Sequence, residues 1–165
     1  MTLKIRAAAR ADAALIVQLI RELAVYERAP DAAKASVGDI EAAFFCASPK
    51  VHALIAEWHS ENCGFAAYFF NFSTWTGRHG VYLEDLFVRD SVRGKGIGKA
   101  LLQQVAAIAV ENNCPRLDWS VLDWNETAIG FYKSLGAVPM EDWIGFRLHG
   151  EALKNLAGEN LSGKA

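Results

Sequence analysis

Between Val81 and Asn112 the chain passes from a strand-like run, through Arg93-Gly94-Lys95-Gly96-Ile97-Gly98-Lys99, into a helical pattern. This junction constrains the fold more than any other stretch. Val81-Tyr-Leu-Glu-Asp-Leu-Phe-Val88 reads as a strand, and Ala100 to Val110 carries apolar residues at helical spacing. Alternating glycines where a strand gives way to a helix make a tight turn. They leave the first N–H groups of the helix unpaired beside the positive end of its dipole. Arg93, Lys95 and Lys99 add cationic side chains, so the turn suits a pyrophosphate. Two common phosphate loops do not fit. A P-loop would need Gly where Arg93 stands and Ser or Thr where Ala100 stands. The dinucleotide fingerprint would need a glycine at Lys99 or at Leu101. Arg-Gly-x-Gly-x-Gly opening a helix remains.

The rest of the chain predicts a mixed α/β order. Leu3 to Arg6 alternates as a strand, and Asp12 to Tyr26 is an amphipathic helix with Leu15, Ile16, Leu19, Ile20 and Leu23 on one side. Ser36-Val-Gly-Asp39 has the form of a capping box and predicts a helix to about Phe45. Val51 to Trp58 and Cys63 to Phe72 read as a hairpin, followed by a loop from Ser73 to Gly80. After the long helix, Arg116 to Leu122 is expected as a strand and Asn125 to Leu135 as a helix stopped by Gly136. Trp143 to Leu148 is expected as a last strand, and Gly150 to Leu156 as a short helix. The fold class is therefore α/β: an antiparallel meander, then β-α-β units, in one mixed sheet flanked by helices.

At 165 residues the chain suits one domain. A net charge of −2, without a basic excess, points away from nucleic acid. No apolar run is long enough to span a membrane. Lys4, Arg6 and Arg10 interrupt the N-terminus, so no signal peptide and a cytoplasmic location are expected. The three cysteines and four histidines show no ligand spacing, so no metal is expected.

Further segments narrow the reading. Asn125-Glu-Thr-Ala-Ile-Gly-Phe-Tyr132-Lys-Ser-Leu-Gly-Ala137, together with the glycine loop, resembles the two signature segments of the GNAT acetyltransferases. Tyr82-Leu-Glu-Asp85, Ser73-Thr-Trp-Thr-Gly-Arg78, Val121-Leu-Asp-Trp-Asn125 and Arg21-Glu-Leu-Ala-Val-Tyr-Glu27 are similar to the diamine acetyltransferase family. Phe146-Arg-Leu-His-Gly-Glu-Ala-Leu153 is closer to its thialysine branch. Where the spermidine/spermine branch tends to carry further acids, this chain has Arg28-Ala-Pro-Asp31-Ala-Ala-Lys34, which suits a polycation poorly. The resemblance implies a GNAT fold over 1–157 with a flexible tail at 158–165. It also implies acetyl-CoA as cosubstrate, a small primary amine as acceptor and a homodimer. A non-catalytic acetyl-CoA-binding module and a protein or peptide acetyltransferase stand as alternatives.

Acetyl transfer to an amine needs a base, since an alkylammonium with a pKa of about 10 has no lone pair. Adjacent residues on a strand point to opposite faces, so Glu84 and Asp85 are not expected in one pocket. The resemblance gives the substrate side to Glu84, as a base acting directly or through water, and leaves Asp85 on the other face. Tyr132 is the candidate acid for the leaving thiolate. Asn125 suits a helix N-cap, and the resemblance adds contact with the pantetheine arm. Leu86, Phe87 and Val88 are expected to offer that arm their backbones, while Arg93, Gly94 to Lys99, Tyr132 and Lys133 complete the expected cofactor set. Tyr26, Glu27 and Trp75 are the remaining acceptor-side candidates. A carboxylate at a helix C-terminus suits a cation, and so does an aromatic face.

Overall fold

The computed structural model describes residues 2–158. These form two compact units that meet in sequence between Ser120 and Val121. Residues 159–165 of the expected flexible tail lie outside the described residues.

The first unit holds a five-stranded sheet in the order β1-β2-β3-β4-β5. The strands are β1 (Leu3–Ala7), β2 (His52–Trp58), β3 (Glu61–Ser73), β4 (Arg78–Val88) and β5 (Leu117–Trp119). The first four pair antiparallel, and β5 runs parallel to β4. α1 (Ala13–Tyr26) and α2 (Val37–Phe44) precede β2, and α3 (Ile97–Glu111) links β4 to β5. The expected α/β class and element order hold throughout this unit.

Each helix forms where the sequence supplies both an apolar stripe and an end signal. α1 buries Ile16, Val17, Leu19 and Leu23 against Ala53, Ile55, Phe65, Ala67 and Phe87 of the sheet, with Ile40 of α2 completing the cluster. The capping box before α2 is present: Ser36 Oγ accepts from the Asp39 N–H, and the Asp39 carboxylate accepts from the Ser36 N–H. Leu54, Ala56, Ala66 and Leu83 are buried one residue out of phase with that first cluster, hence on the opposite face. α3 covers this second face with Ile97, Leu101, Leu102, Val105 and Ala109.

Two strand features differ from expectation. β4 begins at Arg78, so the expected loop shrinks to a turn closed by the Gly77 N–H on Ser73 O at 2.8 Å. The β3–β4 register slips one residue, pairing Tyr68 with Leu83 but Ala67 with Asp85, which leaves Glu84 as a bulge. β5 then follows β4 only from Val81 to Leu83, which is why it is shorter than the expected 116–122.

The second unit contains α4 (Glu126–Ser134) and α5 (Gly150–Ala157). The strand expected at Trp143–Leu148 is absent. A strand requires a partner edge, and this unit offers none among its described residues. Ile144 and Phe146 are correspondingly 80% and 94% exposed.

Candidate active site

Gly94 and Gly96 adopt φ values of +76° and +79°, a region that L side chains rarely enter. Gly98 lies within α3 at ordinary φ, and a Cβ there would sit 3.8 Å from the Val88 side chain, an ordinary contact. Among the described residues, the first N–H of this helix to reach a backbone carbonyl is that of Ala100, on Gly96 O at 3.0 Å. The N–H groups of Gly94, Lys95, Gly96, Ile97, Gly98 and Lys99 precede it without a backbone acceptor. Six successive amides without a backbone acceptor, two of them on left-handed glycines, thus lie at the start of α3, where the helix dipole favours an anionic group. The side chain of Ile97 is buried and anchors the turn, whereas Lys95 and Lys99 are exposed beside it. Lys95 Nζ also lies 5.8 Å over the Trp58 ring.

Beyond Leu83, β4 has no strand beside it on its β5 side among the described residues. Its opposite edge is held by β3, through Ala66 to Leu86, Phe65 to Phe87 and Gly64 to Val88. The free backbone edge at Leu86 and Phe87 therefore starts where β5 diverges. The Val88 carbonyl already accepts from Arg93 Nε at 2.9 Å.

The bulge also redirects the acidic pair. Strict alternation, which would send Glu84 and Asp85 to opposite faces, is interrupted at that step. Asp85 comes into register with Ala67, one of the residues packed under α1. Its carboxyl is pushed up to about 6, first by burial and then by the charges of Glu84 and Glu27. Glu27 caps the C-terminus of α1, its N–H donating to Leu23 O at 2.9 Å. Partial burial raises its carboxyl as well. Glu84 and Glu27 thus both bear on the Asp85 carboxyl, and a cationic ligand beside Asp85 would relieve that repulsion. Among the described residues no His, Cys, Asp or Glu cluster has the form of a metal site. Sequence reasoning missed Asp85 as a member, because the one-residue slip that turns it inward leaves no mark on the sequence.

Tyr26, on the last turn of α1, lies beneath the Arg93 guanidinium at 4.2 Å. It helps to line a cleft of about 300 Å³ with Glu22, Val25, Phe87, Arg89 and Asp90. Trp75 is not brought to this group. It is 89% exposed in the turn that precedes β4, whereas Arg93 follows the far end of that strand. Eleven residues of strand separate the two, about 35 Å of extended chain.

In the second unit, Asn125 caps α4, its side chain accepting from the Ala128 N–H at 3.2 Å. Tyr132 is half-buried on α4, with its ring 5.3 Å from that of Phe131. Lys133 is exposed in the last turn of the same helix.

The chain is similar to known proteins in sequence and in fold. The family model of the acetyltransferase (GNAT) family matches residues 17–137. Thialysine N-epsilon-acetyltransferase of Bos taurus is 41% identical, over 94% of this chain and 97% of that protein. The spermidine/spermine N(1)-acetyltransferase-like protein 1 of Homo sapiens is 34% identical over 94% of this chain, although the match spans 24% of that longer protein. Among solved structures, the V. cholerae integron cassette protein VCH_CASS6 superposes with a TM-score of 0.80 at 34% identity, covering 96% of this chain and 99% of that one.

Proposed function

This chain belongs to the GNAT acetyltransferase family and is an acetyl-transferring enzyme, and we propose that it acetylates the primary amine of a small molecule, thialysine or a related lysine-like amino acid ahead of a polyamine. The observation that carries the reading is the group of three carboxylates, Glu27, Glu84 and Asp85, with Asp85 held at about 6 by burial and by its two neighbours. An ammonium group is the natural occupant of such a place. The 41% identity to a thialysine enzyme and the mixed charges of Arg28 to Lys34 favour an amino acid over a polycation.

Acetyl-CoA, when bound, supplies the acetyl group and departs as a thiol. The open amides of Gly94 to Lys99 hold its pyrophosphate, with Lys95 and Lys99 adding charge. The free β4 edge at Leu86 and Phe87 holds the pantetheine arm, together with Asn125 and Lys133. Asp85 and Glu27 orient the amine as an ammonium, with Tyr26 beside them. Glu84, exposed on its bulge, receives a proton from that ammonium directly or through one water. This frees the nitrogen lone pair for the carbonyl carbon. Tyr132 would give the departing sulfur its proton as the C–N bond replaces the C–S bond, and the second proton, shed by the nitrogen as it becomes an amide, would restore the tyrosine. The neutral amide product no longer answers the three carboxylates, which favours its release.

The same reading makes the protein a cytoplasmic homodimer, for which the exposed Val138, Met140, Trp143, Ile144 and Phe146 offer apolar surface. Thiol release measured across thialysine, lysine, ornithine, spermidine, an aminoglycoside and a lysine peptide tests the acceptor class. Turnover should be greatest with the amino acids. Preference for the peptide would select a protein acetyltransferase, and CoA binding without turnover on any amine would select a non-catalytic module.

A further inference from the structure

Arg93 opens the glycine loop, yet its groups are engaged on the α1 side. Its Nε donates to Val88 O at 2.9 Å, and Nη1 lies 2.7 Å from the Asp90 carboxylate. Its backbone N–H donates to Asp90 O at 3.2 Å. The guanidinium carbon stands 4.2 Å over the Tyr26 ring and 5.8 Å from the Phe87 centroid. A planar guanidinium can stack on a ring while its edge nitrogens bond elsewhere, which a lysine ammonium cannot do. A second arginine fastens the same end of α1: Arg89 donates to both Glu22 carboxylate oxygens at 2.8 Å and to Asn62 O at 2.8 Å. The residue after Tyr26 is Glu27, whose charge reaches Asp85.

We propose that Arg93 is a positioning residue, whose stack on Tyr26 transmits occupancy of the cofactor loop to the last turn of α1 and so to the amine-side carboxylates. The proposal rests on the placement of acetyl-CoA at Gly94 to Lys99 given above. Two left-handed glycines leave that loop few side-chain anchors of its own, so a ligand on its amides orders the backbone that carries Arg93. The guanidinium is tied to Val88, Asp90 and Tyr26 together, and ordering at one end tightens the other. Linkage makes the effect reciprocal: an amine that settles Glu27 favours the cofactor by the same factor. A single, partly exposed cation–π contact sets the scale at about 2- to 5-fold.

Amide hydrogen exchange on the full chain, with and without CoA, reads this directly. In the wild type, CoA should slow exchange at residues 94–101, and also at residues 22–28 by about 2- to 5-fold. Arg93→Lys keeps the charge but not the plane; it should retain protection at 94–101 and lose it at 22–28. Tyr26→Leu should do the same from the other side, while Tyr26→Phe keeps the transmitted effect. Protection of wild-type residues 94–101 without any change at 22–28 overturns the coupling and leaves the cofactor site intact. So does an Arg93→Lys protein that transmits like the wild type. Absence of CoA protection at 94–101 in the wild type refutes the cofactor placement itself, and the coupling falls with it.

Discussion

Asp85→Asn should stabilise the free protein at neutral pH while weakening its hold on an amine. The Asp85 carboxyl is raised from 3.8 to about 6. A carboxyl whose folded value is raised binds more protons folded than unfolded between those two values, so folding stability falls as pH rises through that window. The shift of about two units, at roughly 1.4 kcal/mol each, comes to about 3 kcal/mol above pH 7 and less than 1 kcal/mol near pH 4. Asn keeps the shape and cannot ionise, so it escapes this cost. Its advantage over the wild type should therefore grow by roughly 2 kcal/mol between pH 4 and pH 7.5. Urea denaturation of both proteins at the two pH values measures the difference, with the contribution of carboxylates remote from Asp85 cancelling at each pH. For a chain of this size the neutral-pH gain corresponds to a rise in melting temperature of about 6–12 °C. An Asn variant less stable than the wild type at pH 7.5, or equally favoured at both pH values, would refute the carboxylate cluster as a source of strain.

Glu84→Gln should lose most turnover near neutral pH and regain part of it at alkaline pH, where solvent has already removed the amine proton; a matching pH–rate profile would exonerate Glu84. Tyr132→Phe should lower kcat by about 10²–10⁴-fold with little change in acetyl-CoA affinity, and unchanged turnover would reduce Tyr132 to packing. Gly96→Val puts a β-branched residue at a φ of +79° and a side chain in the path of the pyrophosphate, so CoA affinity measured by calorimetry should collapse. Glu22→Gln should destabilise by about 1 kcal/mol at pH 7, since the Arg89 pairing holds the Glu22 carboxyl below its usual range. That contribution is present above the unfolded value and fades as pH falls through the lower folded one, so the two proteins should converge in urea midpoint under acid conditions.

The parts of the molecule that are legible in its sequence are those set by local rules. Gly94 and Gly96 announce backbone angles that other residues avoid, Ser36 and Asp39 announce a cap, and the α1 stripe announces the face it buries. What sequence reasoning missed depends on neighbours far along the chain. The Glu84 bulge exists because β3 pairs out of step across it, and nothing within Val81 to Val88 encodes that slip. With it went the strict alternation that set Asp85 on the face opposite Glu84. Arg93 reads as a phosphate ligand by its position in the motif, while its guanidinium turns to a ring 67 positions earlier in the chain. Trp143 to Leu148 has the alternation of a strand but no edge to join among the described residues of its unit, and pairing requires both.

The central claim is direct transfer between an acetyl-CoA held at Gly94 to Lys99 and an amine held by Glu27, Glu84 and Asp85. Initial velocities with acetyl-CoA and thialysine varied together test it most directly, with acetylated product counted by mass spectrometry against thiol released. Direct transfer gives reciprocal plots that intersect, as a ternary complex requires, and one amide formed for each CoA freed. Parallel plots, or thiol released without a matching amide, would contradict it.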